Sequence, residues 1–265
     1  MRWHFISGAN LADLCPVRTV SPGATVNPYL TEQTGKPCAA LTVLATEYAT
    51  PFHFNFHHGD LAHTFVLGPS RSGKSVFVNF LLSQFRRYEP VNVYIFDKDY
   101  SCRIATLLQG GKHIDLNATD RALPLNPLQL LGEPADWEWL AGWLEILLTS
   151  RGYKLTSEDD KSLWQGIKSV AALSPSLWQL KSLYGVLPRI LKEELEPWVG
   201  SGSLARYFDN VEDSFSLTDF TCVEMGSVLA NKRLARAFME YAFFRIKKKL
   251  DSPHKVPTAI YIEEA

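Results

Sequence analysis

Residues 64–75, T-F-V-L-G-P-S-R-S-G-K-S, constrain this chain more than any other stretch. An apolar run, Phe65-Val66-Leu67, stops at Gly68, and Gly73, Lys74 and Ser75 follow at the spacing G-x-x-x-x-G-K-[ST]. An amphipathic segment with Val76, Phe77, Phe80 and Leu81 starts directly behind them. Buried strand, glycine-bounded loop and helix N-terminus form the context in which this spacing cradles phosphate. Main-chain N–H groups in the loop and the first helical turn have no intrahelical acceptor, and the helix dipole adds roughly half a positive charge there. Glycine at 68 and 73 permits backbone conformations and close approaches that a Cβ would obstruct.

The phosphate cup is therefore expected from Gly68, Ser70, Arg71, Ser72, Gly73, Lys74, Ser75 and Val76, with Pro69 offering no N–H. Lys74 would act catalytically by reaching the β- and γ-phosphates of ATP, and the Ser75 hydroxyl would ligate Mg²⁺. The competing reading is a glycine turn between strand and helix with a merely solvated lysine. The flanking pattern favours the nucleotide site.

A chain of 265 residues with 46% hydrophobic and 21% charged residues reads as globular, with length for one large or two small domains. The formal net charge of −1 argues against a protein that grips nucleic acid with its whole surface and leaves a local basic patch open. Cys15, Cys38, Cys102 and Cys222 lie far apart without a C-x-x-C pair, which favours reduced core thiols in a cytoplasmic protein over a zinc site. No run reaches the roughly 20 apolar residues of a membrane span. The apolar part of the N-terminus is too short for a signal peptide, so any membrane association is expected to be peripheral.

Residues 1–38, with Pro16, Pro22 and Pro28 and no sustained period, read as a connecting arm from the end of an upstream domain. Residues 40–45 read as a strand. Phe52, Phe54 and Phe56 then alternate with His53, Asn55 and His57, so a hairpin leads into the loop strand. Those phenylalanines suit a core, with base or adenine stacking as the alternative. His53 and His57 would lie roughly 13 Å apart on an extended strand, too far to share one ion. Arg86, Arg87 and Tyr88 close the helix behind the loop. Residues 91–96, V-N-V-Y-I-F, read as a buried strand that delivers Asp97 to the sheet's carboxyl edge, either near a metal or as a turn carboxylate.

From residue 134 the texture becomes helical: Trp139, Leu140, Trp143, Leu144 and Leu147 keep helical spacing, and residues 177–191 repeat the pattern. Thr156 with Glu158 and Asp159 has the composition of an N-cap and acidic first turn. The tryptophans read as packing within a helical insertion. Residues 220–225 return to strand texture, and residues 231–250 form a long helix ending in Lys247-Lys248-Lys249. That run is either a solvated cap or a nucleic-acid or lipid contact. Residues 259–265, A-I-Y-I-E-E-A, are an apolar strand ending in two acids. Behind a phosphate loop, Glu263 would hold Mg²⁺ and Glu264 would orient or deprotonate the attacking water.

Several blocks in this order resemble the TrbE/CagE kind of conjugal transfer and type IV secretion ATPase. They are N-L-A-D-L at 10–14, T-P-F-H-F-N at 50–55, D-L-A-H at 60–63 and the loop at 68–75. F-D-K-D at 96–99, L-N-P-L at 125–128, Y-F-D-N at 207–210 and I-E-E-A at 262–265 complete the set. The resemblance implies an α/β fold: a RecA-like P-loop NTPase core with a mainly parallel sheet, a leading β-hairpin and an α-helical insertion. The divisions would be an arm at 1–38, core at 39–130 and 200–265, and the insertion at 131–199. It implies ATP and Mg²⁺ as ligands and a homo-oligomer, a hexamer. It further implies work with other secretion-system subunits at the cytoplasmic face of the inner membrane, powering pilus assembly or export of DNA or protein. Glu263 stands where relatives often carry Asp. Relatives continue past the two acids, so the chain is expected to be a fragment, natural or truncated. A DNA-pumping coupling protein of the same superfamily and a catalytically inactive nucleotide-binding subunit are the alternatives.

Overall fold

A computed structural model describes residue 8 and residues 21–117, 123–251 and 256–263. The N-L-A-D-L block, Cys15, Glu264 and Ala265 lie outside the described residues. The chain forms two compact units, Met1–Glu89 and Pro90–Ala265.

In the first unit, α1 (Pro28–Thr34) lies where the sequence suggests only an arm. Its signals are local rather than periodic. The Asn27 side chain accepts the Leu30 N–H at 3.0 Å, Pro28 occupies the first helical position, and Gly35 closes the helix at φ 66°. Seven residues are too few to display a hydrophobic period. The expected hairpin follows: β1 (Thr42–Ala45) pairs antiparallel with β2 (Pro51–Phe54), from Thr42 opposite Phe54 to Ala45 opposite Pro51.

The helix behind the loop, α2 (Lys74–Phe85), buries Val78, Leu81, Leu82 and Phe85. Beyond it, Arg87 donates to the Ala40 and Leu41 carbonyls at 2.8 and 2.9 Å, and the Tyr88 hydroxyl donates to Ala39 O at 2.6 Å. Phe54, Phe56, Phe85 and Tyr88 form a chain of edge-to-face ring contacts, so the hairpin phenylalanines serve as packing. The histidines are also accounted for within this unit. His57 stacks on Tyr29 and meets the Asn27 side chain at 3.2 Å, and His53 Nδ1 lies 3.0 Å from Pro22 O.

One expectation fails here. Residues 62–69 form no strand, and Phe65 and Leu67 are 87% and 88% exposed. An apolar run becomes a strand only when a neighbour takes up its N–H and C=O groups, and among the described residues none pairs with it.

The second unit is built on a parallel sheet of β3 (Asn92–Asp97), β4 (Lys112–Asp115), β5 (Phe220–Glu224) and β6 (Thr258–Ile262), in the order β4-β5-β3-β6. All six residues of β3 are buried, as befits an inner strand of a covered parallel sheet. A short helix, α3 (Arg103–Leu108), packs against β4 and β5. Tyr94, Phe96, Ile114 and Val223 point to the opposite face and join one buried cluster with the helices. These are α4 (Trp137–Leu148), α5 (Ser157–Ala171), α6 (Leu180–Val186) and α7 (Arg189–Leu195), with the short α8 (Ala205–Phe208) and α9 (Gly226–Leu229) and the long α10 (Lys232–Leu250).

The single helical stretch expected at 177–191 is two helices, because Leu187 is extended and Pro188 opens α7. The tryptophans pack: Trp143 is buried with its Nε1–H on Ala237 O at 2.9 Å, and Trp139 stacks on Phe244 at 3.9 Å between ring centres. Thr156 and Asp159 form a reciprocal capping box on α5. No described helix is long and apolar enough to cross a membrane.

Candidate functional site

The loop 68–73 is exposed throughout, and the side chains of Lys74 and Ser75 are half-buried at its base. Arg71 (φ 64°) and Gly73 (φ 89°) adopt the left-handed conformation that reverses the chain into α2. Gly68 is needed for space, since a Cβ there would come within 2.8 Å of Ser72 Oγ. The Ser72 N–H donates to Pro69 O at 3.3 Å. The Lys74 ammonium folds back along the loop and donates to Gly68 O at 2.8 Å and Pro69 O at 2.9 Å. The helical ladder begins with Phe77 N–H on Gly73 O, so the N–H groups of the preceding turn are not consumed by it. Val76 is 75% exposed. The eight expected cup residues thus form one continuous surface segment around a helix N-terminus.

The acids of the second unit fall into a row for a geometric reason. Asp97 ends β3 opposite Glu224, which ends β5, and Glu224 is also opposite Asp115, which ends β4. Ile262 pairs with Phe96, so Glu263, one residue further, comes level with Asp97. The Glu263 N–H continues the ladder to Phe96 O at 3.0 Å. Side chains alternate along strands, so this register sends all four carboxylates to one face at the carboxyl edge, where α/β sheets bind ligands.

The turn 98–102 between β3 and α3 closes over three of these acids. Glu224 accepts the N–H groups of Asp99 (3.2 Å), Tyr100 (2.8 Å) and Gly226 (3.0 Å) and the Asn117 amide (3.2 Å). Asp97 accepts the Ser101 hydroxyl at 2.6 Å and the Cys102 N–H at 2.8 Å. Glu263 Oε2 accepts the Lys98 N–H at 3.2 Å and the Ser101 hydroxyl at 2.9 Å. Asp99 and Tyr100 are both left-handed, at φ 62° and 60°, a conformation non-glycine residues hold only when their surroundings impose it.

Burial, and then the neighbouring Asp97 carboxyl, raise the Glu263 pKa above the ordinary carboxylate value, while Ser101 and Lys98 pull it back. Burial pushes the Cys102 thiol up to about 12 and raises Cys222 as well. With Cys38, these are free buried thiols, and among the described residues no group of three acid, histidine or cysteine side chains is arranged for a metal.

The structure therefore brings Asp97 together with Glu263, whereas the cup residues belong to the other unit. Sequence reasoning missed Glu224 and Ser101. A signal existed for Glu224: its strand, like β3 and β6, is an apolar run ending in an acid. The lysine run also resolves in part, because Lys248 pairs with Asp136 and Lys249 donates to Thr218 O at 3.2 Å, which ties both to the protein.

The parallel sheet with helices on its faces, the antiparallel hairpin and the glycine loop opening α2 define an α/β chain of the RecA-like, P-loop class. No family model matches it. It is 32% identical over 270 residues, its full length, to a probable conjugal transfer protein TrbE of Sinorhizobium fredii. To the type IV secretion system protein VirB4 of Bartonella quintana it is 34% identical over 220 residues, 80% of this chain. Conjugal transfer protein TrbE of Rhizobium radiobacter is 30% identical over 273 residues. The solved structure of VirB4 from Thermoanaerobacter pseudethanolicus matches 85% of this chain and 68% of that one with a TM-score of 0.63; at 16% identity this is a likeness of fold. The chain belongs to the TrbE/VirB4 family of conjugal transfer and type IV secretion proteins. It spans 40%, 28% and 32% of the three relatives' lengths, respectively.

Proposed function

We propose that this chain is the ATP-binding and hydrolysing part of a motor subunit in a conjugal transfer or type IV secretion machine. The observation that carries the reading is the exposed loop 68–73 at the N-terminus of α2, with the Lys74 ammonium lying along it. Such a cup suits a polyanion, because main-chain N–H groups, the helix dipole and one ammonium converge without any carboxylate of the loop itself.

The residues fit both implied groups. Main-chain N–H groups of the loop would hold the β- and γ-phosphates of ATP, and Lys74 would exchange its two carbonyl acceptors for phosphate oxygens. For Mg²⁺, Ser75 would supply a hydroxyl and Glu263 a carboxylate, the hard oxygen donors this ion takes. Bound Mg²⁺ neutralises charge developing on the phosphates. Glu264, next to Glu263 in sequence, would orient the attacking water and take its proton. Its homologues' names support a place among other secretion subunits. Hexameric assembly, attachment to the inner face of the membrane and export of DNA or protein belong to the same proposal.

Titration with a fluorescent ATP analogue tests the binding half, and absence of Mg²⁺-dependent binding sinks it. Glu264→Gln in a protein carrying the rest of the relatives' length tests the chemistry. Affinity should persist while turnover falls by about 100-fold or more, and retained turnover would move the base elsewhere.

A further inference from the structure

Among the four acids at the sheet edge, Glu263 is held in an unusual way. Both donors described on its Oε2, the Lys98 N–H and the Ser101 hydroxyl, come from the turn that follows the neighbouring strand. The Ser101 oxygen is located in turn by Asp97, whose other oxygen takes the Cys102 N–H. Glu224 holds the two left-handed residues between them through their N–H groups. The turn is thus fastened by two wholly buried carboxylates, and its serine hydroxyl lies between Asp97 and Glu263. A cap that served only to finish the strands could rest on main-chain groups alone. Here a side chain with one rotatable hydroxyl reaches an acid 162 positions away.

We propose that Ser101 is a positioning residue for Glu263: anchored by Asp97, its hydroxyl sets the orientation in which the Glu263 carboxylate meets the divalent cation of a bound nucleotide. The inference rests on the nucleotide reading above. Groups that orient a metal-binding carboxylate characteristically change metal affinity by 10- to 100-fold when removed. The hydroxyl is small, and deleting it leaves Asp97 its Cys102 donor and Glu263 its Lys98 donor, so the fold is expected to survive the substitution.

The test uses the full 265-residue chain and a fluorescent ATP analogue, titrated with excess EDTA and with MgCl₂, for the natural chain, Ser101→Ala, Ser101→Thr and Lys74→Ala. The natural chain is expected to bind more tightly with Mg²⁺. Ser101→Ala should keep its EDTA affinity and lose about tenfold of the Mg²⁺-dependent gain, and Ser101→Thr should restore that gain by returning a hydroxyl. A thermal melt of the unliganded variants accompanies each titration. A full Mg²⁺ gain in Ser101→Ala, with or without a lowered melting point, overturns the inference and leaves the nucleotide reading standing. So does equal impairment of the alanine and threonine variants. No Mg²⁺ gain in the natural chain overturns it too. If the natural chain binds no analogue, or Lys74→Ala binds as well as it does, the nucleotide reading fails and the inference falls with it.

Discussion

Asp97 and Glu224 stand opposite each other at the carboxyl ends of β3 and β5, both wholly buried, and among the described residues neither makes an ion pair. Their charges are met by main-chain N–H groups, a hydroxyl and an amide of the surrounding turns. Hydrogen bonds to an ionised acceptor are about twice as strong as neutral ones, and burial raises the cost of losing any of them.

Glu224→Ala is therefore expected to be among the most damaging single changes in the second unit. It would strand donors from Asp99, Tyr100, Asn117 and Gly226 and release two left-handed residues. A loss of about 3 kcal/mol in urea unfolding is expected. Glu224→Gln keeps the shape but turns an NH₂ toward donors and should cost about 1–2 kcal/mol. A change below about 0.5 kcal/mol in both would show that the turn holds without this acid.

Lys74→Ala should separate binding from folding. Its described bonds run to two exposed loop carbonyls, so the unfolding midpoint should hardly move. Nucleotide affinity should drop by about 100-fold, near 3 kcal/mol, as a desolvated phosphate contact is lost.

Asp159 gives a pH signature. The Thr156 N–H first, then the Tyr153 and Thr156 hydroxyls, hold its pKa below the usual value. A folded-state pKa lower than the unfolded one contributes stability above the unfolded value, and that contribution drains as pH falls through the folded one. Asp159→Asn should cost about 1 kcal/mol at pH 7, and the gap to the natural chain should narrow below about pH 4. Urea unfolding at pH 7 and pH 3 measures it; a gap that widens in acid would reverse the sign.

Trp143 joins α4 to α10 through its Nε1–H and contacts Phe208 edge-to-face at 5.2 Å. Trp143→Ala should cost about 3–5 kcal/mol, and Trp143→Phe, which keeps most of the volume but loses the hydrogen bond, about 1–2. Equal costs would mean that the volume lost in the alanine variant is filled by collapse around it.

Much of this protein was legible before any coordinates. The glycine loop and the helix behind it, the hairpin, β3, β5 and β6, the Thr156 cap and the long α10 all follow from signals contained within one turn or one strand. Spacing, capping chemistry and apolar period act over a few residues, so a linear reading captures them. The same locality explains the error at 65–67: apolar residues announce a willingness to pair, while a strand needs a partner. Only the fold decided the row of acids. Tyr100 and Glu224 are 124 positions apart, and nothing near either residue indicates that one will hold the other. Parallel register placed Asp115, Glu224, Asp97 and Glu263 on one face, and the turn 98–102 then closed on them because buried carboxylates must find donors.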